Sequence, residues 1–560
     1  MSYVELEALL AECALQLIVQ REHLTVPVGT NLLVKYLQGE ISINGYGFLI
    51  DDLITDKVES LLFAMRNPEL FSKEYSYAES EDILGALYLS CRKMSNRKAT
   101  GSYYTPAAIA NKIVKNLFGE GSADIGTVFD PCCGTGTFLL LLPGNITMEH
   151  IYGNDIDPIG VCITRINLAL KFRITDRDIL YGHITQKDYL TFDTKEYFDY
   201  IIGNPPWGYH FSEEEKEKLR GKYQCAAGKY IESYDVFTEQ AVSNLNYGGV
   251  LSFLLPEAIL NVRTHMQIRE FLIKGNSIQY LEYLGDVFDK VQCPCIILQI
   301  LHNHKPMDTL GMVVNDGKRV YTIQTRRGIQ KDYFCFTTTD EEYGILQKIE
   351  HVPHRITLFD NARFALGIVT GDNKKFITKT KTEDNEMILK GVDLHKFRFT
   401  ESDNYIMYKP EEFQQTAPAK YYRAPQKLLY RFICKHLVFA YDDKQTLSLN
   451  SCNVLIPEAD GLEIKYILAI LNSRIAQFYF QKNFHSVKVL RSHIEQIPIP
   501  MVGKAEQEEM IQIVDRLIMP AEDEDAAGDF EILDEKIANI YGLSQKEYAT
   551  IKENVWDSNL

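Results

Sequence analysis

The sequence predicts a doubly wound α/β sheet over residues 99–305, and three observations carry that expectation. Apolar runs of strand length alternate there with stretches of helical periodicity, the pattern of a mostly parallel sheet covered by helices. A short apolar run, Thr127 to Phe129, opens into the glycine loop Asp130-Pro-Cys-Cys-Gly-Thr-Gly136. About twenty residues later a second run, Ile151 to Asn154, ends in Asp155. The third observation is the run Tyr197 to Gly203, which breaks into Asn204-Pro205-Pro206-Trp207. In an open α/β sheet ligands bind beyond the carboxyl ends of the strands, so chemistry is expected at these breaks.

In chain order, residues 1–98 read as a mainly helical module, with apolar residues at helical spacing from Tyr3 to Val19 and again from Glu81 to Ser90. Packing or partner docking is its expected role. Thr105 is a good N-cap and Pro106 a good first residue for a helix from Ala107 to Phe118. After the glycine loop and Asp155, a helix is expected from Pro158 to Lys171, and a weaker third unit ends near Asp188. Beyond Trp207 the rhythm resumes with helices Ser233 to Leu245 and Arg263 to Lys274, and strands Gly249 to Leu255, Ile278 to Leu284 and Cys295 to Leu301. From residue 306 to 500 short apolar runs alternate with Gly, Asp and Asn turns, which predicts a separate α+β domain with a helix from Ile464 to Phe480. Residues 501–560 read as amphipathic helix around an acidic linker.

Composition narrows the class. A chain of 560 residues exceeds a single core. Its 46% hydrophobic and 24% charged residues are ordinary for a globular protein, and no apolar stretch approaches the roughly 20 residues that span a bilayer. No secretory signal is read, and the eleven cysteines form no paired zinc-type clusters, so a reducing cytoplasm and no metal are expected. A net charge of −17 excludes a protein coated in basic surface but not one with a segregated basic patch.

The candidate residues have chemistry in common. Gly134 and Gly136 let backbone approach a ligand closely, and Asp130 at a strand end can take an amine or hydroxyl. Asp155 stands where an acid accepts both hydroxyls of a ribose, and Asp188 where one takes an adenine amine. The two prolines after Asn204 stiffen the strand exit, holding an amide beside a prolyl carbonyl and the flat ring of Trp207. Such a site can grip a planar ring bearing an exocyclic amine. The loop is no P-loop, since no Gly-Lys-Ser/Thr follows.

Taken in order, Gly101-Ser-Tyr-Tyr-Thr-Pro106, Asp130-Pro-Cys-Cys-Gly-Thr-Gly136, Gly153-Asn-Asp-Ile-Asp-Pro158 and Asn204-Pro-Pro-Trp207 resemble the gamma class of amino DNA methyltransferases, the Taq-type N6-adenine enzymes. Gly285-Asp-Val-Phe288 is similar to the segment of that family that carries an aromatic residue over the target base. Gly367-Ile-Val-Thr-Gly-Asp-Asn373 looks like the opening of its target recognition domain. The resemblance covers about residues 80 to 500. It implies a Rossmann-like methyltransferase sheet, S-adenosylmethionine as cofactor, and double-stranded DNA as partner within a restriction-modification or related phage-defence system. It further implies catalysis by Asn204, Pro205, Pro206, Trp207 and Phe288. Cofactor contacts are implied for Tyr104, Thr105, Asp130, Pro131, Cys132, Gly134, Gly136, Asp155, Ile156, Asp188, Asn204 and Pro206. Two departures stand out: Trp207 replaces the commoner Tyr or Phe, and Asp155 the usual Glu.

Rival chemistries draw on the same residues. A cytosine C5 enzyme needs a Pro-Cys nucleophile after the fourth strand, which is absent. N4-cytosine methylation shares the amine geometry but usually has Ser in place of Asn204. Glutamine methyltransferases of release factors carry Asn-Pro-Pro without a following domain of this size. A non-catalytic DNA-binding scaffold is the remaining alternative. For DNA itself the candidates are Arg363, Lys374, Lys375, Lys427 and Arg431 in the 306–500 domain, and the terminal helices are candidate docking sites for a restriction or defence subunit.

Overall fold

The computed structural model describes all residues except 1, 27–30, 92–104, 120–124, 192–195, 289–291, 330, 332–333, 335, 485–487, 520–524 and 556–560. The chain divides into two compact units, Met1–Phe336 and Thr337–Leu560.

The first unit is built on a sheet of nine strands. They are β1 (Val128–Asp130), β2 (Ile151–Asp155), β3 (Ile184–Gln186), β4 (Phe198–Gly203), β5 (Leu245–Pro256), β6 (Asn276–Asp286), β7 (Pro294–His302), β8 (Val313–Asn315) and β9 (Val320–Thr322). Their order is β3-β2-β1-β4-β5-β7-β6-β8-β9. Strands β1 to β5 pair in parallel, and β7 inserts antiparallel between β5 and β6. Burial explains why β1 and the middle of β5 read as unbroken apolar runs: helices cover both faces, so there is no solvent side on which to alternate. The order reverses between β1 and β4, where Phe129 pairs with Ile201, so Asp130 and Asn204 emerge side by side. That is the switch point at which such sheets bind ligands.

The strands and long helices fall where the hydrophobic pattern put them, with short adjustments. The helix Ser233–Ser243 ends two residues early, and the expected helix from Arg263 begins as a single 3-10 turn before Met266–Gly275. The expected helix from Ile464 is two, Ile464–Asn472 and Arg474–Asn483, because Ser473 is extended and its hydroxyl accepts from the Ala476 amide as a new cap.

The division of the chain differs from the four segments expected. The helix Tyr3–Arg21 is buried on nearly every side, from Leu6 to Ile18, and lies in one continuous core with the sheet. Its cover comes mainly from the other N-terminal helices, Leu32–Leu37, Gly47–Leu53, Lys57–Arg66 and Ile83–Cys91, and all of them share one compact unit with the sheet. Strands β8 and β9, beyond residue 305, extend the same sheet. In the second unit, a four-stranded sheet joins Ala362–Ala365, Cys452–Pro457, Lys427–Arg431 and Phe439–Asp442, all antiparallel. The helices Lys504–Ile518, Ala526–Ile540 and Gln545–Asn554 share its core through Met510, Leu533 and Ile551.

Candidate active site

The site is assembled from the ends of β1, β2 and β4. After β1 the chain must turn sharply, and Gly134 (φ 54°) and Gly136 (φ 89°) supply the left-handed backbone that other residues resist. A Cβ built on Gly134 would meet no atom of the described residues within 4 Å, so among them the space over the loop is open. The loop runs into the short helix Thr137–Leu140.

Two carboxylates face this loop in different states. Asp155 Oδ2 accepts from the Gly134 amide at 2.8 Å, and Oδ1 from the Asp157 amide at 2.9 Å, so one side chain ties the two loops together. Burial is the largest influence on its pKa and pushes it up to about 6, with the amide bonds opposing. Asp130 is fully buried and pushed up to about 8, chiefly by desolvation. Its Oδ1 accepts from the Cys132 amide at 3.1 Å, while Oδ2 is buried with no hydrogen-bond partner among the described residues. A buried carboxylate oxygen left over at a sheet's ligand-binding edge calls for a donor or a cation. Beside them, Ile156 is 68% exposed, an apolar face next to a polar turn.

At the end of β4 the tetrapeptide is held from three sides. Asn204 Nδ2 donates to Thr105 Oγ1 at 3.0 Å, which turns the acceptor oxygen of the same amide the other way. The helix Ala107–Phe118 is therefore not capped by Thr105: Pro106 takes the N-cap position without a side-chain bond, and the threonine hydroxyl serves Asn204 instead. The Cys132 thiol lies 3.3 Å from the Asn204 carbonyl oxygen, and Ser233 Oγ donates to the Pro206 carbonyl at 2.6 Å. Trp207 is 8% exposed and meets Phe288 edge to face, centroids 5.2 Å apart and planes at 86°.

The remaining expected residues divide. Tyr104 lies outside the described residues. Pro131 is buried in the loop. Asp188 is exposed beyond β3 and closes its own turn, accepting from the Leu190 amide and the Thr191 hydroxyl, both at 3.1 Å. In the second unit, Lys374 and Lys375 are exposed after Asp372, whose carboxylate accepts from both their amides. Arg363 pairs with Glu458 at 2.8 Å. Two of the expected DNA contacts require correction. Lys427 is wholly buried, paired with Asp442 at 2.6 Å, and donates to the Tyr422 carbonyl. Arg431 spends its guanidinium on the carbonyls of Gly391 and Leu394. Both hold their own domain together: the strand Lys427–Arg431 is buried over its first four residues, so Lys427 meets its carboxylate inside, and Arg431 at the half-buried end bonds to a neighbouring turn.

Ser233 was not legible in the sequence. It opens an unremarkable helix, and nothing local marks its contact with a carbonyl 27 residues earlier.

The fold and site together define a methyltransferase-like protein. Residues 79–340 match the N-6 DNA methylase family, and residues 386–499 match the TaqI-like C-terminal specificity domain. The type II methyltransferase M.VspI of Vibrio sp. (strain 343) is 28% identical over 316 residues, covering 56% of this chain and 74% of that protein. The type I restriction enzyme HindI methylase subunit of Haemophilus influenzae is 26% identical over 257 residues, 42% of this chain and 54% of the subunit. Among solved structures, the type IIL restriction-modification enzyme MmeI in complex with DNA aligns with a TM-score of 0.59 at 14% identity, over 97% of this chain and 93% of that one. The chain thus carries an N-6 DNA methylase domain followed by a TaqI-like C-terminal specificity domain.

Proposed function

We propose that the chain methylates the N6 amine of an adenine flipped out of double-stranded DNA, using S-adenosylmethionine. The observation that carries this is the adjacency, at one strand crossing, of the Asn204 amide and the Asp130 loop. The cofactor's needs match the donor set: an unpartnered buried carboxylate oxygen on Asp130, an acid at Asp155, and open space over Gly134. When bound, S-adenosylmethionine supplies an electrophilic methyl sulfonium.

The rest is the work of this chain. An adenine amine is a poor nucleophile, since its lone pair is delocalised into the ring. The Asn204 side-chain oxygen and the Pro205 carbonyl accept its two hydrogens, which favours a pyramidal nitrogen with its lone pair directed at the methyl group. That stabilises the transition state without a strong base. Ser233 fixes the next carbonyl, at Pro206, and so the angle of the whole turn. Stacking on Trp207, beside the Phe288 ring that meets it at right angles, offsets part of the few kcal/mol that extruding a base costs. The N-6 DNA methylase match supports adenine over cytosine as target.

The test is single-molecule sequencing of DNA from cells expressing the chain, with N6-methyladenine expected at one defined sequence. A modified cytosine there would move the same amine geometry to N4, and unmodified DNA from a protein that binds DNA would favour the scaffold alternative.

DNA recognition is proposed for the second unit, now resting on Lys374, Lys375 and Arg363. Replacing Lys374 and Lys375 together by Ala should flatten the salt dependence of DNA binding by up to about 0.9 log units per lost phosphate contact. Cofactor affinity should not change. An unaltered slope in a titration from low to high salt would remove both lysines from the interface.

A further inference from the structure

The glycine loop is gripped by a residue far from it in sequence. Asp82 lies just before the helix Ile83–Cys91, in the segment read from sequence as a packing module. Its carboxylate accepts four hydrogen bonds. Oδ1 takes the Gly85 amide and Asn167 Nδ2, each at 2.8 Å. Oδ2 takes the hydroxyls of Thr135, in a very short contact, and of Thr137 at 3.2 Å. Thr135 stands between the two glycines of the loop, and Thr137 opens the helix after it. Asn167 completes the circuit by donating to the Thr135 carbonyl at 2.9 Å. Two hydroxyls of the loop region are thus held by one acid, and a backbone carbonyl by the asparagine that the acid itself binds.

Gly85 shows how close this approach is. A Cβ there would fall 2.0 Å from Asp82 Oδ2 and 2.4 Å from Thr135 Oγ1, both inside any tolerable contact. Another turn along, Tyr88 donates its hydroxyl to Asp157 Oδ2 at 2.6 Å. Asp157 caps the helix Pro158–Phe172 through its other oxygen, and its amide is one of the two that hold Asp155. Residues 82, 85 and 88 are spaced by three and so share one helix face. That face meets both loops of the proposed cofactor site.

We propose that Asp82 and Tyr88 are positioning residues for the cofactor: they fix the glycine loop and the Asp155 turn in their binding geometry, so that this N-terminal helix sets cofactor affinity. The inference rests on S-adenosylmethionine binding at these loops. It assigns the N-terminal helices a part in the site rather than in packing alone.

Asp82→Asn keeps the shape but removes the charge and one accepting oxygen, so the threonine hydroxyls and the Gly85 and Asn167 donors lose their charged partner. Tyr88→Phe deletes a single hydroxyl. Each full-length variant is to be titrated calorimetrically with S-adenosylmethionine and with S-adenosylhomocysteine, and its fold checked by circular dichroism and thermal melting. Asp82→Asn should weaken both ligands by about tenfold or more, the scale of losing a bond to a charged group, and Tyr88→Phe by severalfold. In turnover the loss should fall on KM for the cofactor more than on kcat. A purely structural role would lower the melting temperature and leave the affinity of the folded protein intact. Folded variants that bind within about twofold of the unmodified chain would therefore overturn the proposal. Should Asp82→Asn not fold, Tyr88→Phe decides alone. Failure of the unmodified chain to bind either ligand would instead overturn the cofactor assignment itself, a distinguishable result.

Discussion

Asn204→Ala is expected to abolish methyl transfer while leaving the protein folded and able to bind its cofactor. In the proposed mechanism the side chain contributes to the transition state through one oxygen, aimed by the bond from Nδ2 to Thr105. Loss of one such aligned group costs about 10²–10³-fold in rate elsewhere in enzymology, and here the amide also positions the nitrogen's lone pair. Little of the core depends on it, since the residue is only half-buried at a strand end. The measurement is incorporation of labelled methyl groups into DNA, read beside calorimetric cofactor binding. Transfer at the unmodified rate would remove Asn204 from the chemistry. Thr105→Val offers a graded companion: the amide would remain but lose its orientation, so a smaller rate loss is expected.

Asp155→Ala carries the second large effect, on binding rather than rate. In the proposed site the carboxylate accepts both ribose hydroxyls, and bonds to a charged group are worth about 1.5–3 kcal/mol each. Its removal also frees the Gly134 and Asp157 amides, so the two loops would lose the tie between them. An affinity loss of at least about tenfold per bond follows. Calorimetry that found the affinity unchanged would relocate the ribose.

The same residue predicts a pH dependence. Both Asp155 (about 6) and Asp130 (about 8) have pKa values raised above the ordinary carboxylate range, mainly by burial. For an acid, a raised folded-state pKa means that folding favours the protonated form. Its stabilising contribution is full below about pH 4 and is lost as pH rises through the folded value. A ligand bringing hydroxyl donors and positive charge favours the carboxylates instead. Affinity should therefore climb from about pH 5 to pH 8, with protons released on binding. Titrations in two buffers of different ionisation enthalpy would reveal that release, and Asp155→Ala should remove the part near pH 6.

What the sequence determined by itself was local and periodic. Strand and helix alternate with different hydrophobic periods, so β1, β2, β4, β5, β6 and β7 and the helix Pro158–Phe172 were legible from neighbours alone. The glycine loop, Asp155 and Asn204-Pro-Pro-Trp207 were legible because backbone strain, charge and ring chemistry are fixed by residue type at short spacing. Only the tertiary structure decided which polar groups share a partner. Lys427 and Lys374 are alike as letters, yet one is sealed against Asp442 and the other stands in solvent, because strand pairing with Phe439–Asp442 set the first facing inward. Asp82 stood unremarked in the apolar stretch Glu81 to Ser90 and proves to be a clamp on Thr135, 53 residues away. Such contacts depend on how remote segments are brought together, and the energy that selects them is burial across the whole core, which no window of sequence contains.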